Sequence, residues 1–195
     1  MSFWNSLLPT IETSFSHSYV FGEAQLESGD EDCSRRIPVA RKLLGDFTAY
    51  VEGWALYAEK LAYEQGFYSS ALDKIGHLKF DLWRAARLVV DTGIHHMRWT
   101  REHAIQYMER ITGMNHDSVT SEVERYFVMP GQACAYKIGQ LKIMELRKRA
   151  QDLLGEKFKI QAFHNVVLQV GAVPLTVLEK VVDEYIEQNR ASARE

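Results

Sequence analysis

From about residue 46 onward, apolar positions step by three or four, the period of a helix with one buried face. In DFTAYVEGWALYAEKLAYEQG, Phe47, Val51, Trp54, Ala58 and Leu61 fall on one stripe, and Gly66 is a natural stop. From Ser70 to Asp91 the stripe is Leu72, Ile75, Leu78, Leu82, Ala85 and Val89. Thr100 is placed to cap a helix running to about Ile111 and closed by Gly113, and Asp117 or Ser118 to cap another through about Phe127. Pro130 suits a first helical turn, and the periodicity then persists to Leu154, with Gly155 behind it. A short helix around 158–169 follows. Pro174 opens a last one, with Leu175, Leu178, Val181, Val182, Tyr185 and Ile186 on one face. No alternating β-branched run and no Asn-Gly or Asp-Gly hairpin interrupts this pattern. The expectation is an all-α fold, a single helical domain of six to seven helices over 34–195. Residues 1–33 carry no sustained period and read as a divergent arm, with at most a short helix near 10–27.

Composition narrows the function classes. With 195 residues and 46% hydrophobic content the chain can bury a core without staples. Its 23 Lys+Arg against 26 Asp+Glu leave a net charge of −3, which argues against a general nucleic-acid binder. Cys33 and Cys134 have no CxxC spacing and read as reduced thiols or small buried hydrophobes. No apolar run reaches the roughly 18 residues of a membrane span, and the start MSFWNSLLPTIETSFS has no basic leader region. The expected location is the cytoplasm, off the membrane.

Four stretches go beyond generic helix: YVEGWALYAEKL (50–61), RAARLVVDTGIHHMRWTREHAIQYM (84–108), RYFVMPGQACAYKIGQLKI (125–143) and FHNVVLQVGAVPLTVLE (163–179). In this order and spacing they resemble the bacterial family labelled domain of unknown function 885, regarded as zinc metallopeptidases. The resemblance covers about residues 35–190. It implies a longer protein, with a helical HExxxGHH-type motif upstream that supplies two histidine ligands and a glutamate base, and with the glutamate of EGWA as third ligand. That glutamate is Glu52 here. Neither HExxH nor HExxxGHH occurs in this sequence, whose histidines are His17, His77, His95, His96, His103, His116 and His164. A catalytic zinc takes three protein ligands and a water, so one carboxylate cannot hold it alone.

Each candidate residue carries two readings. Glu52 and Glu59 lie seven positions apart, about 20° around a helix, and serve either as a ligand position with a partner carboxylate or as a solvated acidic face. DTGIHH is expected to join a helix end to a turn, with Gly93 left-handed and Asp91 orienting His95. His95 would donate to a developing oxyanion, or simply cap a helix. Tyr136, and after it Tyr126, would stabilise the tetrahedral intermediate, or be core-edge aromatics. Gln132 and Lys137 cluster with them around Pro130-Gly131 as substrate contacts. Arg84 and Arg87 would fork onto a peptide carboxylate, or pair with Asp81 or Asp91. The basic stretch Lys142 to Arg149 reads as a solvated helix face. A metal site from His95, His96 and Glu52 is disfavoured, because adjacent histidines on a helix point about 100° apart. The expectation is a truncated or split segment of a zinc metallopeptidase acting on peptides, inactive and zinc-free alone, completed by self-association or by a missing N-terminal segment. The alternative is a non-catalytic binding or assembly module that retains the scaffold.

Overall fold

The computed structural model describes residues 47–191; the arm at 1–33, its boundary and Cys33 lie outside the described residues. Among the described residues seven α-helices follow one another: α1 Thr48–Glu64, α2 Ala71–His95, α3 Arg101–Thr112, α4 His116–Val128, α5 Gln132–Leu154, α6 Ile160–Val170 and α7 Leu175–Ala191. A single 3₁₀ turn, Gly155–Lys157, separates α5 from α6. Among the described residues there is no strand. The all-α expectation holds.

Local chemistry sets most boundaries. Ser70 and Asp73 form a reciprocal capping box at the start of α2. Thr100 accepts the His103 N–H at 3.2 Å, and Gly113 closes α3 at φ 62°. The cap of α4 is Asn115, whose side chain accepts the Ser118 N–H at 2.9 Å. The expected Asp117 instead stands in the first turn, where its charge meets the positive helix end. Pro130 lies in the turn ahead of α5, and Gly131, at φ 81°, is the residue from which that helix starts.

Two apolar clusters form the interior. The first joins α1, α5, α6 and α7 through Trp54, Tyr57, Leu146, Phe163, Val167 and Leu178. The second joins α2, α3, α4 and the first turn of α5 through Trp83, Val90, Met108, Val123, Tyr126 and Ala133. Helix α5 therefore runs through both, and α1 with α5 is the most extensive helix pair. Their crossing rests on two glycines. A Cβ on Gly139 would overlap the Ala49 carbonyl oxygen and come within 2.7 Å of Gly53 Cα, so only glycine allows this approach.

The stripe expected on α2 faces the other way. Leu72, Ile75, Leu78, Leu82 and Val89 are 79, 60, 54, 43 and 40% exposed, whereas Trp83, Ala86, Arg87, Val90, Asp91 and Ile94 are buried. The helix carries two rows of residues spaced by three and four. The row that packs contains an arginine and an aspartate, which a hydrophobic pattern assigns to solvent.

Candidate functional site

The glycine crossing brings Glu52 on α1 opposite Tyr136 on α5. Both are half-buried. Burial, and then the Glu52 carboxylate beside it, push the Tyr136 phenol above its ordinary range. The hydroxyl is protonated at neutral pH, as an ordinary phenol also is, and can donate. Its ring supports the Arg87 guanidinium, 4.2 Å from the ring centroid, and Tyr126 lies 5.5 Å away on the same cation.

Gln132, the first residue of α5, ties the groups together. Its side-chain oxygen accepts Arg87 Nη2 at 3.1 Å and Arg125 Nη1 at 3.3 Å, and its amide nitrogen faces the Tyr136 hydroxyl at 3.5 Å. Asp91 holds the turn before it: both carboxylate oxygens accept the Gly131 N–H at 3.1 Å. Asp91 thus orients the start of α5 and not His95. Gly93 is helical, and its missing Cβ makes room for the Trp99 ring. DTGIH is the last turn of α2, and His95 points Nε2 at the Tyr126 carbonyl at 2.9 Å. A carbonyl only accepts, so Nε2 carries the proton.

Tyr126 itself is buried. Its hydroxyl donates to Glu122 at 2.9 Å, and burial drives its ionisation far up. Burial also opposes the charge on Glu122, but hydrogen bonds from Arg125 and Tyr126 outweigh it and hold the carboxyl below its usual range. Arg84 pairs with Glu59 across α1 and α2 at 3.0 Å, and Lys137 pairs with Asp81 at 2.6 Å. Neither arginine meets Asp81 or Asp91. Lys142 and Arg149 are bound to Glu145 and Glu179, and Arg149 also to Asp183. The Cys134 thiol is half-buried, and burial followed by the charge of Asp91 pushes its ionisation up.

Glu52, Tyr136, Gln132, Arg87 and, through Tyr126, His95 therefore belong to one connected region, while Arg84 and Lys137 are committed elsewhere. Arg125, Glu122 and the Gly53–Gly139 contact were not singled out by the sequence. Isolated glycines inside two strongly helical segments were the available signal. Among the described residues no three His, Cys, Asp or Glu side chains are grouped to hold a metal ion. Glu52 with a phenol and an amide as neighbours is not a zinc donor set, and no step is derived through a metal.

Residues 31–182 match the profile of a family described as bacterial protein of unknown function, DUF885. The chain belongs to that family. A solved structure, a candidate lipoprotein from Colwellia psychrerythraea, is 49% identical with a TM-score of 0.74, over 77% of this chain and 26% of that one. The chain thus spans about a quarter of the length of that protein. No curated protein matches. Among the described residues no helix is long and apolar enough to cross a membrane.

Proposed function

We propose that this helical unit forms one wall of a peptide-hydrolysing site. Glu52 would be one ligand of a metal completed by residues outside the described ones, Tyr136 offers a donor to a developing oxyanion, and Gln132 with Arg87 hold the substrate. His95, its Nε2 proton engaged by the Tyr126 carbonyl, keeps only a positioning role. The reading is carried by one observation, the placement of Glu52 opposite the Tyr136 phenol across the glycine crossing. A donor already aimed at the point where charge develops needs no reorganisation during reaction. Zinc enters only as the family's cofactor, whose remaining ligands are not among the described residues. On this reading the chain alone turns over nothing.

Two measurements test it: zinc content of the dialysed chain, and chelator-sensitive peptide hydrolysis by the Colwellia protein before and after replacement of its residue aligned with Glu52 by alanine. Negligible zinc here, with hydrolysis there that disappears in the variant, supports the proposal. Hydrolysis that survives the variant, or none at all, overturns it. A second reading, a non-catalytic module that self-associates through a second copy, is favoured by the exposed seam Ile75, Leu78, Leu82 and Val89 on α2. A concentration-independent monomer by light scattering removes it.

A further inference from the structure

Arg87 is 5% exposed, yet among the described residues its guanidinium meets no carboxylate. One bond to the neutral Gln132 amide and two tyrosine faces are its direct contacts, its charge reaches the Glu122 carboxyl only from beyond ion-pair distance, and its Nε has no hydrogen-bond partner. Buried charges are ordinarily paired, because desolvation costs several kcal/mol per ion. The neighbouring Arg125 also leaves a buried Nε unpartnered, although its far side pairs with Glu122 at 2.7 Å. Two guanidinium groups thus converge on one amide oxygen. That position suits a carboxylate better than an amide, since charge-assisted bonds are roughly twice as strong as neutral ones. Gln132 is half-buried and heads α5, and the Arg125 side chain is 35% exposed, so an incoming anion can displace the amide from the solvent side. Asp91 cannot swing in, being held on the Gly131 N–H.

We propose that Arg87 and Arg125 bind a ligand carboxylate at the place now held by the Gln132 side-chain oxygen. Resting on the peptidase reading, that carboxylate is a peptide's C-terminus. The Tyr136 ring lies against Arg87 while its hydroxyl faces Glu52. One side chain spans the gap between the anchoring cation and the proposed reacting end, and one extended residue covers about 3.3–3.6 Å. The substrate class is therefore peptides with a free C-terminal carboxylate, cleaved within the last one or two residues.

The test is binding of acetyl-Ala-Ala to the full chain, as free acid and as C-terminal amide, followed by nuclear magnetic resonance or calorimetry. The acid is expected to bind at least about tenfold more tightly, one charged hydrogen-bonded pair's worth of affinity. That preference should vanish in Arg87→Gln, shrink in Arg125→Gln and persist in part in Arg87→Lys. Equal binding of acid and amide, or a preference that survives both glutamine variants, overturns the proposal. If Arg87→Gln fails to fold, the acid–amide comparison on the unaltered chain decides alone. Binding needs no turnover. Acid preference alongside failure of the Colwellia protein to hydrolyse peptides would remove the peptidase reading and keep the carboxylate site. Hydrolysis there with equal acid and amide binding here would do the reverse.

Discussion

Two buried polar groups sit in the two halves of this helical unit, and they are built on opposite principles. In the first apolar cluster, Tyr57 and His164 bond each other at 2.7 Å, enclosed by Trp54 and Phe163. The hydroxyl and the imidazole there are 0 and 3% exposed residues with a neutral partner each. At the second cluster, Arg87 and Arg125 share one amide oxygen beside half-exposed Gln132 and Tyr136. The first group is closed, its Tyr57–His164 pair neutral although His164 Nδ1 has no partner and Arg147 lies 5.9 Å from the Tyr57 ring centroid. The second is itself charged and borders half-exposed side chains. Burial alone therefore does not separate scaffold from site. Residual hydrogen-bonding capacity near solvent does.

The change that should disturb both groups most is at the crossing on which α5 rests. Gly139→Ala forces its Cβ into the Ala49 carbonyl and against Gly53, and backbone cannot yield as a side chain would. A loss of about 4 kcal/mol in chemical denaturation is expected, with the Glu52–Tyr136 approach lost as well. Gly76→Ala is the matched control. Nothing lies within 4 Å of its Cβ position in the second turn of α2, so it should stabilise by about 0.5–1 kcal/mol. Equal effects at the two positions would mean that the crossing is not the tight contact described.

A smaller effect separates the closed group from the open one by pH. Burial, then the positive charge of Arg147, lower His164 from 6.5 to about 4. The folded state keeps it neutral while the unfolded chain takes up a proton below 6.5. Its stabilising contribution is thus complete above pH 6.5 and is lost as pH falls towards 4, by about 3 kcal/mol at most. Urea midpoints measured across that window should fall, and His164→Gln should flatten the slope. An unchanged slope in the variant would place the proton elsewhere.

How much of this was legible in the sequence follows the same division. The helices were readable because caps such as Thr100 and breakers such as Gly113 and Gly155 act locally, within a turn of their own position. The inward face of α2 was not, since periodicity scores Arg87 and Asp91 as surface and Leu72 and Ile75 as core. Only the three-dimensional neighbours, Gln132 for one and the Gly131 N–H for the other, make those two residues worth burying. Glu52 and Tyr136 came forward through words shared with a family. Their juxtaposition depends on Gly53 and Gly139, which are 86 positions apart and which no local rule links.

The smallest expected effect is the most informative about the open group. Glu52 makes no ion pair among the described residues and is half-buried, so Glu52→Gln keeps its shape and should change stability by no more than about 0.5 kcal/mol. It should still alter Tyr136. Burial contributes most to the raised phenol and is untouched by the substitution, but the second contribution, the adjacent negative charge, disappears. A tyrosinate no longer faces a carboxylate, so one phenol should ionise at lower pH in the variant than in the parent chain. An alkaline ultraviolet titration, with Tyr136→Phe to identify the phenol, reads this directly. The closed group supplies the internal reference: Tyr57, pushed up to about 12 mainly by burial, should titrate alike in both chains. If the Tyr136 phenol also stays where it was, Glu52 does not face it, and the observation on which the hydrolytic reading rests is removed.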